Sequence, residues 1–133
     1  MRELYWESQA HSNFFFSALE LAKSKDSYHQ ALFYVLGCCD DTRRNIKRLF
    51  DFKEDCIKPD ALDEGWQTGG SRRVCRLAFN LWNGYVELGS EQMETPYELF
   101  DCAYSSYMME GIKLRYPEYV RDLKATRPKP MER

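Results

Sequence analysis

The segment from Thr68 to Gly84, TGGSRRVCRLAFNLWNG, constrains the fold more than any other part of the chain. Val74, Leu77, Ala78 and Leu81 recur at i, i+3, i+4 and i+7, which brings their side chains to one side of an α-helix. Cys75, Phe79 and Trp82 widen that side, while Arg72, Arg76, Asn80 and Asn83 make a polar stripe. A helix that is apolar over so much of its girth belongs at the centre of a bundle. Thr68 or Ser71 is suited to cap its start, and Gly84 to end it. The glycines also raise the question of a phosphate loop. That motif needs G-x-x-x-x-G-K-[ST], which is missing, so Gly69-Gly70 reads mainly as a bend before the helix. The free N–H groups of the helix start, flanked by Arg72 and Arg73, still make anion binding physically easy there.

The flanking sequence reads as further helices. Residues 8 to 24 carry an apolar stripe of Phe15, Leu19 and Ala22, joined by Phe14, Ala18 and Leu21. Asp26 is placed to cap a second helix that ends near Gly37, with Tyr28, Leu32, Val35 and Leu36 at helical spacing. Asp40 or Asp41 begins a third, DDTRRNIKRLFDF, with Ile46, Leu49 and Phe50 on one side and Arg43, Arg44, Lys47 and Arg48 on the other. The last large helix starts at Thr95-Pro96-Tyr97-Glu98, a capping-box pattern, and runs to Arg115-Tyr116 before Pro117. Leu99, Phe100, Ala103, Tyr107 and Met108 are its expected inner face. PEYVRDLKA can add one short helix, and TRPKPMER reads as a loose tail made basic by Arg127, Lys129 and Arg133.

Between the third helix and the central one lies an irregular connection, about residues 51–68, with a short helical turn expected from Pro59 to Leu62. Period-two alternation of β-branched residues is absent. The expected fold is therefore all-α: a single domain of five or six helices over residues 1–126, with a tail at 127–133. Aromatic residues make up 15% of the chain. Most of them are expected in the core, and any left exposed favour an interface.

Several function classes drop out. The net charge is −2, which argues against a general nucleic-acid binder. No stretch approaches the length of an apolar membrane span, and the N-terminus has no clean apolar signal region, so a cytoplasmic protein without membrane attachment is expected. Five cysteines without C-x-x-C spacing read as free thiols. With His11 and His29 the only histidines, no regular zinc ligand set forms, and no metal or cofactor is expected. His29 could approach Cys38, but nothing else supports a thiol–imidazole pair, and His29 is expected on a surface or helix face. No nucleophile elbow, zincin or dinucleotide fingerprint occurs.

What remains is charge. Arg43, Arg44, Lys47 and Arg48 on one helix, with Arg72, Arg73 and Arg76 on another, form a basic patch if the two helices meet. Arginine suits bidentate contact with carboxylate or phosphate. Trp66 and Tyr85 are candidate aromatic anchors beside it. The acids of the connection, Asp51, Glu54, Asp55, Asp60, Asp63 and Glu64, lie in a charged loop and are expected to be solvated or bonded to loop backbone.

The pieces Ala31 to Tyr34, Asp51 to Glu54 (DFKE), Ile57 to Pro59 (IKP), Trp66 to Gly69 (WQTG), Arg76 to Gly84 (RLAFNLWNG) and Thr95 to Phe100 (TPYELF) together resemble an uncharacterised family of small proteins. Its members come from bacteria and their phages and mobile elements. The resemblance covers roughly residues 28 to 116. Phe50 and Trp82 stand where that family often has tyrosine. No catalytic residue is implied. The resemblance implies a setting, a dispensable accessory gene on a mobile element, where many small proteins bind and block a host defence component.

The leading expectation is thus a binding protein without catalysis, acting on a host protein and interfering with a bacterial defence system, of anti-CRISPR or other type. A nucleic-acid or nucleotide binder using the same arginines is the first alternative. A small enzyme with Asp51, Glu54, Arg76 and Asn80 around the DFKE and IKP loop is the second.

Overall fold

The computed structural model describes residues 3–120 and 129–131. Its helices are α1 (Gln9–Leu21), α2 (Ser27–Gly37), α3 (Asp40–Arg44), α4 (Ile46–Leu49), α5 (Gly69–Asn83), α6 (Pro96–Leu99) and α7 (Ser105–Arg115). Two strands of two residues, β1 (Phe50–Asp51) and β2 (Cys56–Ile57), pair antiparallel, with Phe50 opposite Ile57 and Asp51 opposite Cys56. Turns of 3₁₀ helix cover Pro59–Asp63, Glu91–Glu94 and Pro117–Tyr119. The fold is all-α apart from that hairpin, which the lack of alternation in the sequence does not announce.

The hub is α2, rather than the central helix expected at 69–83. Its residues 31–37, ALFYVLG, are apolar on every side, and all are buried. Such a helix must be surrounded, and α1, α5 and α7 pack against it. Each large side chain buried this way contributes about 1.5–3 kcal/mol. At Gly111 the approach of α7 is close enough that a β-carbon would collide with the Val35 side chain. The ends of α2 and α5 carry the caps that the sequence marks. Asp26 accepts from the His29 N–H at 3.0 Å. Thr68 and Ser71 form a reciprocal capping box on α5, and Gly84 closes it at φ 78°.

A helix leaves its last four carbonyls without partners in its own turns. On α2 all four are answered. The Tyr34 carbonyl accepts from His11 Nε2 at 2.8 Å, and Val35 from the Cys38 N–H. The Leu36 carbonyl accepts from the Thr42 hydroxyl, and Gly37 from Arg43 Nη1 at 2.6 Å. These bonds let the chain turn sharply into α3 inside the core.

Two expected helices are broken, by the same physics. In the segment DDTRRNIKRLFDF the Asp41 carbonyl would receive the Asn45 N–H. The Asn45 side chain takes it instead at 2.8 Å, and the helix stops. A new turn, α4, then runs into β1, so Phe50 is in a strand. In the segment 95–116 the Glu98 carbonyl would receive the Cys102 N–H. Arg73 Nε takes it instead at 2.8 Å, and α6 ends at Leu99. Ala103, expected on the inner face, is exposed in the break. Most of the helix expected at PEYVRDLKA, and Arg127 and Arg133 of the tail, lie outside the described residues.

Two clusters of aromatic rings form among the described residues. One joins Trp6, His11, Phe15, Phe16, Tyr34 and Tyr107. The other joins His29, Phe33, Phe50, Phe52 and Trp82 and seats the hairpin.

Candidate functional site

One open cleft of about 800 Å³ lies between α4 and the segment that follows β2. Leu49 anchors α4 in the core, which turns Lys47 and Arg48 outward. Pro59 keeps Lys58 out of helical geometry, and the Lys58 N–H bonds the Leu49 carbonyl at 2.8 Å, so the two walls run side by side from the hairpin. Lys58 Nζ donates to the Lys47 carbonyl at 2.8 Å. Arg48 Nε donates to Glu64 Oε1 at 2.9 Å, and the same oxygen accepts from Trp66 Nε1 at 2.8 Å. The bonds from Trp66 and then Arg48 hold the Glu64 carboxyl below its usual range. Asp60, Glu64 and Tyr85 complete the lining.

The structure therefore brings Arg48 and Trp66 together on Glu64, sets Lys47 in the same cleft, and adds Lys58, which the charge pattern alone did not single out. Lys47 is exposed and makes no ion pair among the described residues. The other basic candidates are placed elsewhere. Arg43 is held between Glu7 Oε2 at 3.1 Å and the Gly37 carbonyl. Arg44 pairs with Asp40 at 2.9 Å and Asp41 at 3.0 Å. Arg72 Nε donates to the Leu62 carbonyl at 3.0 Å, and Arg73 to Glu98. Arg76 is 8% exposed and pairs with Glu87 at 3.1 Å. Most of these arginines tie irregular backbone to the helices. The start of α5 is likewise engaged, since its Ser71 N–H is taken by Thr68 and its two arginines reach away to carbonyls.

Three of the residues proposed for an enzymatic site, Asp51, Asn80 and Arg76, are engaged in local bonds. Asp51 Oδ1 accepts from the Lys53 and Glu54 N–H groups at 3.0 Å each, which closes the hairpin turn, and the Glu54 and then Lys53 bonds keep its carboxyl below the usual range. Asn80 donates to the Tyr85 carbonyl at 3.3 Å. Burial pushes the thiols of Cys38 and Cys75 up, the latter to about 12, which leaves both protonated and unreactive. Among the described residues no group of three or more His, Cys, Asp or Glu is placed to hold a metal ion, and no helix is long and apolar enough to cross a membrane.

His29 departs most from expectation. It is 3% exposed, not on a free helix face. Its Nδ1 lies 2.7 Å from Asp26 Oδ1 and its Nε2 2.8 Å from Asp55 Oδ1. A neutral imidazole has one N–H and one lone pair, so it cannot donate to two carboxylates. The ring in this setting is the imidazolium. Burial alone would lower its pKa, but the bonds to Asp26 and Asp55 outweigh it and raise the value above 6.5. Asp55 occupies the left-handed region at φ 57°, in the hairpin turn. The Asp26-x-x-His29 half of this arrangement is visible in the sequence. The Asp55 half is not.

A family model described as Family of unknown function (DUF6075) matches residues 1–128, a wider span than the motifs at 28 to 116. No curated protein and no solved structure matches the chain.

Proposed function

We propose that this chain, which belongs to the Family of unknown function (DUF6075), is a non-catalytic binding protein that takes an acidic segment of a partner protein into the cleft between α4 and Lys58–Glu64. The observation that carries this reading is the state of the three cations there. Among the described residues, Lys47, the outer nitrogens of Arg48 and the remaining protons of Lys58 have no carboxylate claiming them, while the other candidate arginines are bonded within the fold. Asp60 and Glu64 stand among the cations, so the lining is mixed in sign. The cations outnumber the acids and draw an acidic segment, while the interspersed carboxylates disfavour a uniform polyanion such as nucleic acid. Tyr85 offers a flat aromatic surface beside them. An accessory protein of a bacterial mobile element that blocks a host defence component is the setting we attach to this reading, following the sequence resemblance.

The test is capture from bacterial lysate by the wild-type chain and by a Lys47→Glu/Arg48→Glu/Lys58→Glu variant whose helical content is intact. Proteins retained by the wild type should be lost by at least tenfold with the variant, and retained with Arg44→Glu, a charge reversal outside the cleft. Equal capture by wild type and triple variant overturns the reading. Capture that nuclease treatment and salt abolish would instead favour the nucleic-acid alternative.

A further inference from the structure

The two cleft walls are the two arms of one hairpin. Lys47 and Arg48 lie just before β1, and Lys58 just after β2. The ladder between the strands holds two residues on each side, and a hairpin that short is not stable alone. Phe50 seats its base against Phe33 and Trp82, and Phe52, the first residue of the turn, stacks on Phe33. Its tip is held through Asp55, whose carboxylate has the His29 ring as its one hydrogen-bond partner among the described residues. The groups facing His29 are few. Asp26 comes from the start of α2 and Asp55 from the hairpin, while β1 and α5 present the uncharged rings of Phe50 and Trp82.

Removing the proton has an asymmetric consequence. The one remaining N–H stays with Asp26, because that carboxylate also accepts the His29 backbone N–H at 3.0 Å and lies on the same helix. Nε2 then turns a lone pair toward Asp55, whose carboxylate has no proton to give. A contact of 2.8 Å becomes repulsive, and Asp55, at φ 57° in the turn, loses its one side-chain bond among the described residues. We propose that protonated His29 is a clasp that sets the spacing of the cleft walls, and that losing its proton releases the hairpin tip and loosens the cleft. This regulation rests on the reading of the cleft as the binding site. It makes partner capture strongest in mildly acidic to neutral solution and weaker in alkaline solution.

The experiment is an NMR titration of the full chain from about pH 5 to about pH 9, following the His29 ring and the amides of Lys47, Arg48 and Lys58. The expected result is that the three amides move with the midpoint of the His29 ring, and that this midpoint lies above 6.5. Asp55→Asn keeps a residue suited to the left-handed region and supplies an amide that can donate to the neutral ring. In that variant the His29 midpoint should fall, and the amides should no longer follow it. A ring midpoint at or below 6.5, or cleft amides that stay still while the ring titrates, overturns the proposal. No partner is added, so failure here leaves the cleft reading standing. Failure of the charge-reversed cleft to lose capture would leave the coupling of His29 to the hairpin intact while removing its role in binding.

Discussion

The His11 and His29 regions are built alike and behave oppositely. Each histidine sits in an aromatic cluster, and both are buried, at 0% and 3% exposure. Each uses both ring nitrogens. His11 accepts the Glu7 N–H at Nδ1, 3.1 Å, and donates from Nε2 to the Tyr34 carbonyl. One donor and one acceptor face it, and the neutral ring satisfies both. Burial depresses its pKa below 6.5 against the pull of that carbonyl, and Arg43 nearby adds to the effect. His29 faces two acceptors, so its ring must carry two protons. Burial lowers the pKa of both rings. The kind of partner, not the depth, decides which one is charged.

The comparison can be broken by removing each ring. His11→Leu should cost about 3 kcal/mol, because it strands the Tyr34 carbonyl and the Glu7 N–H where water has little access. His29→Leu should cost less, about 1 to 2 kcal/mol, although it removes two ion pairs. Asp26 and Asp55 have side chains 48% and 28% exposed, and water can take over part of their solvation. Urea unfolding of both variants measures the difference. The opposite ranking would mean that the charged bonds, not the buried backbone groups, dominate.

A smaller effect sharpens the contrast, because the two rings push stability in opposite directions with pH. The folded chain keeps His11 neutral, so its contribution is present above 6.5 and is lost as pH falls through its depressed folded value. The folded chain keeps His29 charged, so its contribution is present below 6.5 and is lost as pH rises through its raised folded value. Together they give a maximum near 6.5, the ordinary histidine value. His11→Gln should flatten the acid side of that maximum, and Asp55→Asn the alkaline side. Thermal unfolding across the range reads both, and a profile unchanged by either variant would contradict the assigned charge states.

The sequence shows features settled by neighbours a few residues apart. Asp26, Thr68 and Gly84 mark helix ends because a cap acts within one turn. The breaks at Asn45 and after Leu99 are hidden because each depends on which donor wins a particular carbonyl, and one winner, Arg73, comes from another helix. Which of the basic side chains stay available is hidden for the same reason. Sequence supplies the number of arginines but not the number of unpaired carbonyls waiting for them, and Arg43, Arg72 and Arg73 each answer one. Lys58, a single base beside Pro59, carries no periodic signal in the sequence. The His29 contact with Asp55 spans 26 residues and needs the hairpin to exist first.

Glu94 supplies the finest test, since its titration overlaps those of the histidines. Burial pushes its carboxyl up to about 7, with Arg76 opposing and Glu87 adding to the rise. Its Oε2 is buried without a hydrogen-bond partner among the described residues. The folded chain therefore holds this proton longer than the unfolded chain does, and stability is lost as pH rises from 4.5 toward 7. That slope opposes the one from His11 on the acid side and blurs the maximum. Glu94→Gln keeps the shape and cannot ionise, so it should remove the loss and leave a steeper acid limb in which the His11 contribution is unopposed by Glu94. If the limb keeps its wild-type slope in Glu94→Gln, the Glu94 carboxyl is ionised in the folded chain. The pairing of Arg76 with Glu87 would then extend to Glu94 as well.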